Sequence, residues 1–266
     1  VKKNTFTYAE LDSVNKWLLS RLNRVIKEVT DLFDRYELTQ IPAKLQDFIL
    51  NDLSRWYITL IRDRVDVNSE DINKYPTLAV LWHVLYQLLL MLTPINPMLA
   101  EEIYLKMFKP EFGKTAKKSI HLEAWPKADQ KMIDEALESE MAITRQIIDQ
   151  VRSAKTEAKV KLRWPTKGLY IQPKDPKMSL TFKDLIREMS NVKEVEIVDQ
   201  KFKANDLKAT EINEIKLYLD LVDSKELQQE RVLRDLLRTI QFLRKQNGLQ
   251  TGEKIALTLD RKSKRL

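Results

Sequence analysis

The chain has no cysteine, only four glycines and only two histidines among its 266 residues. The first absence excludes disulfide scaffolds and thiolate metal sites. The second makes glycine-rich phosphate cradles scarce: neither G-x-x-x-x-G-K-[ST] nor G-x-G-x-x-G occurs. The third leaves a zinc centre or a Ser-His-Asp triad poorly supplied. His83 lies in an apolar helical stretch, where a core role is expected, and His121 lies in a loop beside Leu122. Neither has a second histidine at ligand spacing. Carboxylates are plentiful, but each acidic pair reads as a helix cap, an i,i+4 partner or a solvated face. No catalytic residue set and no metal site is therefore assigned.

Long hydrophobic runs are also lacking. The longest, Leu78–Leu92, is interrupted by His83 and Gln87 and closes at Thr93-Pro94. It reads as a buried core helix, too short and too polar for a bilayer. The opening Val1-Lys2-Lys3-Asn4 carries no secretory pattern. A cytoplasmic protein without a membrane partner is expected, and the chain reads as a fragment of something longer.

What is abundant is charge. The net charge is +7, with a pI near 9.3. A basic balance suits a polyanion, since each neutralised phosphate releases condensed counterions. Mild basicity without any partner is the plain alternative.

Apolar residues in the first half recur at three- and four-residue steps. Val14, Trp17, Leu18, Leu22, Val25, Ile26, Val29, Leu32, Phe33 and Tyr36 define one helix, capped at Asp12 or Ser13. Leu45, Phe48, Ile49, Leu53, Trp56, Tyr57 and Leu60 define a second, opened by Pro42. A third runs from about Pro76 to Leu92, where Pro94 stops it. Asn96-Pro97 starts a fourth through Phe108. A loop follows from Lys109 to about Ala128, and Asp129 is placed to cap a long helix bearing Ile133, Leu137, Met141, Thr144, Ile148 and Val151. After Glu157 the pattern changes. Alternation marks strands at 169–171, 195–197, 215–221 and 255–259, interleaved with helices at 180–189 and from Asp223 to Asn247-Gly248. The reading is mainly α: an antiparallel helical bundle over 1–163, followed by a small α+β domain over 164–266.

Three segments carry binding signals. Between Arg152 and Trp164 stand five basic residues (Arg152, Lys155, Lys159, Lys161, Arg163) and one acid, closing on an aromatic. Such a run can neutralise phosphates and stack on a splayed base; a solvated helix end is the alternative. On the last helix, Val232, Leu233, Leu236, Leu237, Ile240 and Leu243 form the expected core face. Arg231, Arg234, Arg238 and Lys245 form a basic stripe on another. In the second helix Asp52 and Arg55 are spaced to pair, and Arg55 and Arg62 share a face. Packing is the favoured role for Trp56 and Tyr57, and a helix seam for the arginines.

These segments carry a family resemblance. The run Asp52–Arg64 resembles a helix of the anticodon-binding bundle in class I aminoacyl-tRNA synthetases for branched apolar amino acids. Leu11–Asn23 is similar to the start of that bundle, and Leu92–Ile103 and Ser119–Pro126 to two of its turns. Asn191–Ile197 and Leu243–Leu249 resemble the C-terminal region of isoleucyl-tRNA synthetases of the archaeal and eukaryotic-like type. The resemblance implies binding of the anticodon stem-loop of tRNA, with isoleucine tRNA expected. The same region of a valyl or leucyl enzyme, or a protein-interaction module, is the alternative. It implies a parent isoleucine–tRNA ligase using ATP and Mg, and no cofactor in this stretch. No His-Ile-Gly-His occurs, and Lys177-Met178-Ser179-Leu180 shares only three residues with a Lys-Met-Ser-Lys-Ser loop. Catalytic and editing domains would be partners within a longer, monomeric chain. The tRNA contacts expected are Arg152, Lys155, Lys159, Lys161, Arg163, Trp164, Arg234, Arg238 and Lys245, with Arg55, Trp56 and Arg62 as tRNA or structural residues.

Overall fold

The computed structural model describes residues 6–174, 180–202, 207–250 and 253–256. The chain divides into two compact units, Val1–Met141 and Ala142–Leu266.

Unit 1 is helical. Helix α1 (Ser13–Asp34) starts where Asp12 accepts the Asn15 N–H at 2.8 Å. Helix α2 (Ile41–Asp47) has Pro42 in its first turn and runs into a π-helical stretch (Phe48–Tyr57), then α3 (Ile58–Ile61). Helix α4 (Lys74–Leu92) gives way at Thr93-Pro94. The Asn96 side chain then caps α5 (Pro97–Ile103), which continues through a π-helical turn (Tyr104–Phe108) into α6 (Lys109–Phe112). Helix α7 spans Glu135–Glu157; Asp129, expected to cap it, instead caps a short 3-10 turn (Gln130–Met132).

The apolar stripes found in the sequence meet in this core: Trp17, Leu18, Leu22, Val29, Phe48, Tyr57, Ile61, Val80, Val84 and Met91 are buried. Helix α4 starts two residues before Pro76. By length and composition it could cross a membrane, but the window that passes that test is 44% buried inside the fold. Its buried residues include Ala79, Val80, Val84 and Leu88–Met91.

Polar groups inside unit 1 are paired, as burial demands. Tyr57 Oη donates to Asn15 Oδ1 (2.5 Å), and Asn15 Nδ2 donates to Thr77 Oγ1 (3.1 Å). Arg21 bridges Asp52 (2.9 Å) and Glu138 (3.3 Å), and Arg24 holds Glu138 at 2.7 Å. The expected Asp52–Arg55 pair is thus replaced by one between helices, and Arg55 bonds Asn51 at 3.1 Å.

Unit 2 contains the rest of α7 and a four-stranded sheet: β1 (Thr166–Gln172), β2 (Val192–Ile197), β3 (Lys208–Ile212) and β4 (Ile215–Asp220). The strand order is β2-β1-β4-β3. β1 runs parallel to β2 and antiparallel to β4, which pairs antiparallel with β3. Helix α8 (Lys183–Ser190) supplies the β1–β2 crossover, and α9 (Lys225–Gln246) follows β4. Leu169, Ile171, Val192, Val195, Leu217 and Leu219 are buried; Tyr170, Phe202 and Tyr218 cluster with ring centroids 5.1 and 5.6 Å apart.

Two expectations move. The unit boundary falls between Met141 and Ala142 rather than near Arg163–Thr166, because the second part of α7 is bonded into the α+β unit. Gln150 bonds Thr210, Gln146 bonds Asn213 and Glu157 pairs with Lys208. Of the strand sought at 255–259, residues 257–259 lie outside the described residues, and 253–256 form no strand. Lys177-Met178-Ser179 also falls outside them.

Candidate nucleic-acid interface

The basic connector begins where α7 ends. Lys159 adopts φ +56°, with Val160 N–H bonding Lys155 O (2.8 Å) and Lys159 N–H bonding Thr156 O (3.0 Å). These two bonds form a Schellman stop, whose left-handed position is usually glycine. A lysine there carries about 1 kcal/mol of strain. Its ammonium is exposed and unpaired among the described residues.

Lys155 is the clearest correction. It is fully buried. Its ammonium donates to three main-chain carbonyls: Trp164 (3.1 Å), Ser190 (2.7 Å) and Asn191 (2.9 Å). Burial, with Arg234 and Arg231 nearby, pushes its pKa down to about 8. Lys155 follows Val151 by four residues on the buried side of α7, beside Ala154, while Lys159 lies past the helix end and is exposed. Lys155 joins α7 to the connector and to the end of α8 and presents nothing to a phosphate.

The connector is then gripped by α9. Arg163 pairs with Asp235 at 2.6 Å, and Lys161 reaches the same carboxylate at 3.8 Å. These contacts, Arg163 first, hold the Asp235 pKa below the usual carboxylate range. Arg234 donates to Arg163 O (2.9 Å), to Asn191 Oδ1 (2.6 Å) and to Glu230 (2.8 Å). Arg231 pairs with Asp223 (3.0 Å) and reaches Pro165 O (3.4 Å). Trp164 lies under two cations, Lys161 at 4.6 Å and Arg231 at 5.1 Å from its ring centroid. The ring is thus already engaged by two cations of the same chain. Arg152 pairs with Asp149 (3.7 Å) and reaches Met189 O (3.4 Å).

Helix α9 is therefore inverted with respect to its sequence reading. The side expected to meet RNA, Arg231 and Arg234, is the side bound to the protein. The side expected to form the core is exposed: Leu233 is 53% and Leu237 51% accessible. Of the nine residues expected to contact tRNA, Lys159, Arg238 and Lys245 remain exposed and unpaired among the described residues, and Lys161 is half exposed.

In unit 1, Arg55 and Arg62 are exposed while Trp56 is buried, its Nε1 donating to Met141 Sδ at 3.3 Å. The packing reading of Trp56 and Tyr57 fits these contacts. The sequence reading passed over a second cationic feature. Lys109, Lys114, Lys117 and Lys118 lie within ten residues that contain one acid, Glu111. The segment turns at Gly113 (φ +55°). Tyr104 Oη bonds Lys117 O (3.0 Å), Lys109 Nζ bonds Lys118 O (3.0 Å) and Lys117 Nζ bonds Leu122 O (2.6 Å). Phe112, just before the turn, packs edge-on against Tyr86 at 5.2 Å. Lys114 and Lys118 are left exposed and unpaired among the described residues. Their density in a region read only as a loop was the available signal.

Two bodies of comparison bear on what such surfaces meet. A family model described as the anticodon-binding domain of tRNA ligase matches residues 15–171, more than half of the chain. The chain belongs to that family. The chain is also similar to part of several longer proteins. The isoleucine–tRNA ligase of Methanopyrus kandleri is 39% identical over 190 residues, 70% of this chain and 17% of that protein. That of Pyrococcus abyssi is 39% identical over 186 residues, 69% of this chain and 17% of that protein. That of Thermococcus kodakarensis is 36% identical over 207 residues, 71% and 19% respectively. The chain thus spans about a fifth of the length of the curated relatives it matches. The family match covers all of unit 1 from Asn15 onward and reaches into β1, so the connector and its clasp by Lys155 lie partly inside it. Among the described residues no group of three His, Cys, Asp or Glu could hold a metal ion.

Proposed function

We propose that this chain binds the anticodon stem-loop of tRNA, isoleucine tRNA in the first instance, as the anticodon-binding portion of a longer isoleucine–tRNA ligase. The match of an anticodon-binding family model to residues 15–171 carries the reading. The relatives, isoleucine–tRNA ligases, support the choice of amino acid. The exposed cations Lys114 and Lys118 in unit 1, and Lys159, Arg238 and Lys245 in unit 2, supply phosphate contacts that position an RNA without reading its sequence. Discrimination falls to contacts with unstacked loop bases. Activation of the amino acid, its transfer and proofreading belong, on this reading, to parts of a parent protein outside this stretch.

The test is binding of isoleucine, valine and leucine tRNA transcripts, with anticodon-swapped versions, across a salt series. Preference that follows the isoleucine anticodon, with affinity falling linearly in log salt, is the expected result. Equal affinity for all anticodons would refute the specificity, and no measurable affinity would refute the RNA-binding reading.

A further inference from the structure

In α9 the residues Arg231, Asp235, Arg238, Phe242 and Lys245 succeed one another at alternating steps of four and three, so they stand on one face of the helix. The near half of that face is taken up by the connector. Arg231 lies 5.1 Å from the Trp164 ring centroid, and Asp235 holds Arg163 at 2.6 Å and Lys161 at 3.8 Å. The far half is open. Arg238, Phe242 and Lys245 are exposed, and their side chains make no hydrogen bond, ion pair or ring contact among the described residues.

Phe242 does not belong to the apolar side of the helix. It is 64% accessible. It follows Leu233 by about two and a half turns, so it faces away from the leucine stripe of Leu233, Leu237 and Ile240. Arg244, which holds the returning chain through Gln250 O (3.3 Å) and Glu253 O (3.0 Å), is two residues from Phe242 and does not share its face. Single exposed apolar residues are common on protein surfaces. What sets this one apart is its company: Arg238 stands one turn before it and Lys245 one turn after. No acid occurs in the sequence between Asp235 and Glu253, so the field over the ring is positive.

A phenyl ring has no hydrogen-bonding group; it offers a π-face. A nucleobase can stack on that face, and its phosphates call for cations on either side. Arg238 and Lys245 lie about 10 Å apart along the helix axis, with the ring between them. A fully paired stem has no base free to stack, so the arrangement suits an unpaired nucleotide. We infer that Phe242 is a stacking platform for an unpaired nucleotide of the bound tRNA, with the neighbouring phosphates held by Arg238 and Lys245. This rests on the tRNA-binding reading above and adds to it a residue that meets a base. The two kinds of contact differ in salt dependence: phosphate contacts release counterions, and a stacked ring releases none.

That difference gives the test. Phe242→Ala, Phe242→Tyr, Arg238→Gln and Lys245→Gln are compared with the wild-type chain for binding of an isoleucine tRNA transcript and of a fully paired RNA stem, across a salt series. Phe242→Ala should weaken tRNA binding about 5- to 150-fold with the salt slope unchanged. Phe242→Tyr should bind as wild type does, and the paired stem should not distinguish Phe242→Ala from wild type. Arg238→Gln and Lys245→Gln should each lower the salt slope for tRNA by about 1. Melting temperatures should stay the same, since all three side chains are exposed. Equal tRNA binding by wild type and Phe242→Ala would overturn the inference and leave the tRNA-binding reading standing. So would a loss that tyrosine does not restore, a matching loss with the paired stem, or unchanged slopes in both glutamine variants. A wild-type chain that binds no tRNA would overturn both.

Discussion

Replacing Lys155 by methionine tests whether the most buried cation of the connector is structural. The substitution keeps most of the apolar stem and removes the ammonium. Of the three carbonyls it serves, Asn191 O keeps a donor, the Thr166 N–H at 3.0 Å. Trp164 O and Ser190 O lose the donors described here at 3.1 and 2.7 Å. A buried acceptor left without a partner costs about 1–3 kcal/mol, so two cost roughly 2–6 kcal/mol. Removal of a desolvated charge returns part of that, and a net loss of about 2–4 kcal/mol is expected. Urea unfolding followed by tryptophan fluorescence measures it. The pH dependence carries a separate signature. Burial lowers the folded-state pKa to about 8, against an ordinary lysine value of 10.5. Between those values the unfolded chain binds more protons than the folded one, so this group's contribution to stability rises with pH. The wild-type advantage over Lys155→Met should therefore widen from pH 8 towards pH 10. At a temperature where both proteins are folded, tRNA affinity and its salt slope should be unchanged. A stability loss below about 0.5 kcal/mol, within the range of ordinary surface substitutions, would refute the structural assignment. So would a reduced salt slope in a stable variant.

Lys159→Gly should stabilise the chain by about 1 kcal/mol by relieving the left-handed lysine, while weakening RNA binding through loss of an exposed charge; thermal melts and filter binding separate the two effects. Lys114→Gln and Lys118→Gln should each lower the slope of log affinity against log salt by about 1, uniformly across tRNA species, with no change in melting temperature. Asp235→Asn should loosen α9 and release Arg163, raising affinity for any RNA and steepening the same slope; an unchanged slope would show that Arg163 stays sequestered. Glu138→Gln, at the meeting point of Arg21, Arg24 and Ser20, should cost about 1–3 kcal/mol in urea unfolding, because both arginines lose a shared carboxylate while Arg21 keeps Asp52 and Arg24 keeps Glu135.

Local signals located most of the helices. Asp12, Pro42, Asn96-Pro97 and the Asn247-Gly248 stop act through their own backbone chemistry, and the structure uses each of them. Alternation likewise found β1, β2 and β4, through Leu169 and Ile171, Val195, and Ile215, Leu217 and Leu219, all buried. β3 was missed because Lys208–Ile212 is a short edge strand whose polar residues leave no clear apolar alternation. The start of α9 was misplaced by one residue: Ser224, not Asp223, accepts the Leu227 N–H. The site was less legible than the fold. Charge counts identify cations but not their partners, and the acids that capture Arg163 and Arg234 stand 72 and 4 residues away in sequence. Periodicity marked the leucine stripe of α9 correctly as apolar. It could not say which face the polar clasp would turn towards the protein.

The clasp around the connector has a consequence for how this surface can change over time. Lys155, Arg231 and Arg234 seize the main-chain oxygens of Arg163, Trp164, Pro165, Ser190 and Asn191. These main-chain contacts do not depend on the side chains those positions bear, although three of the positions also use theirs: Asn191 through its amide, Arg163 through Asp235 and Trp164 through Lys161 and Arg231. Outward-facing positions such as Lys159 and Leu162 are thereby released from architectural duty. The segment can be re-lettered to suit a different polyanion while its course through space stays the same.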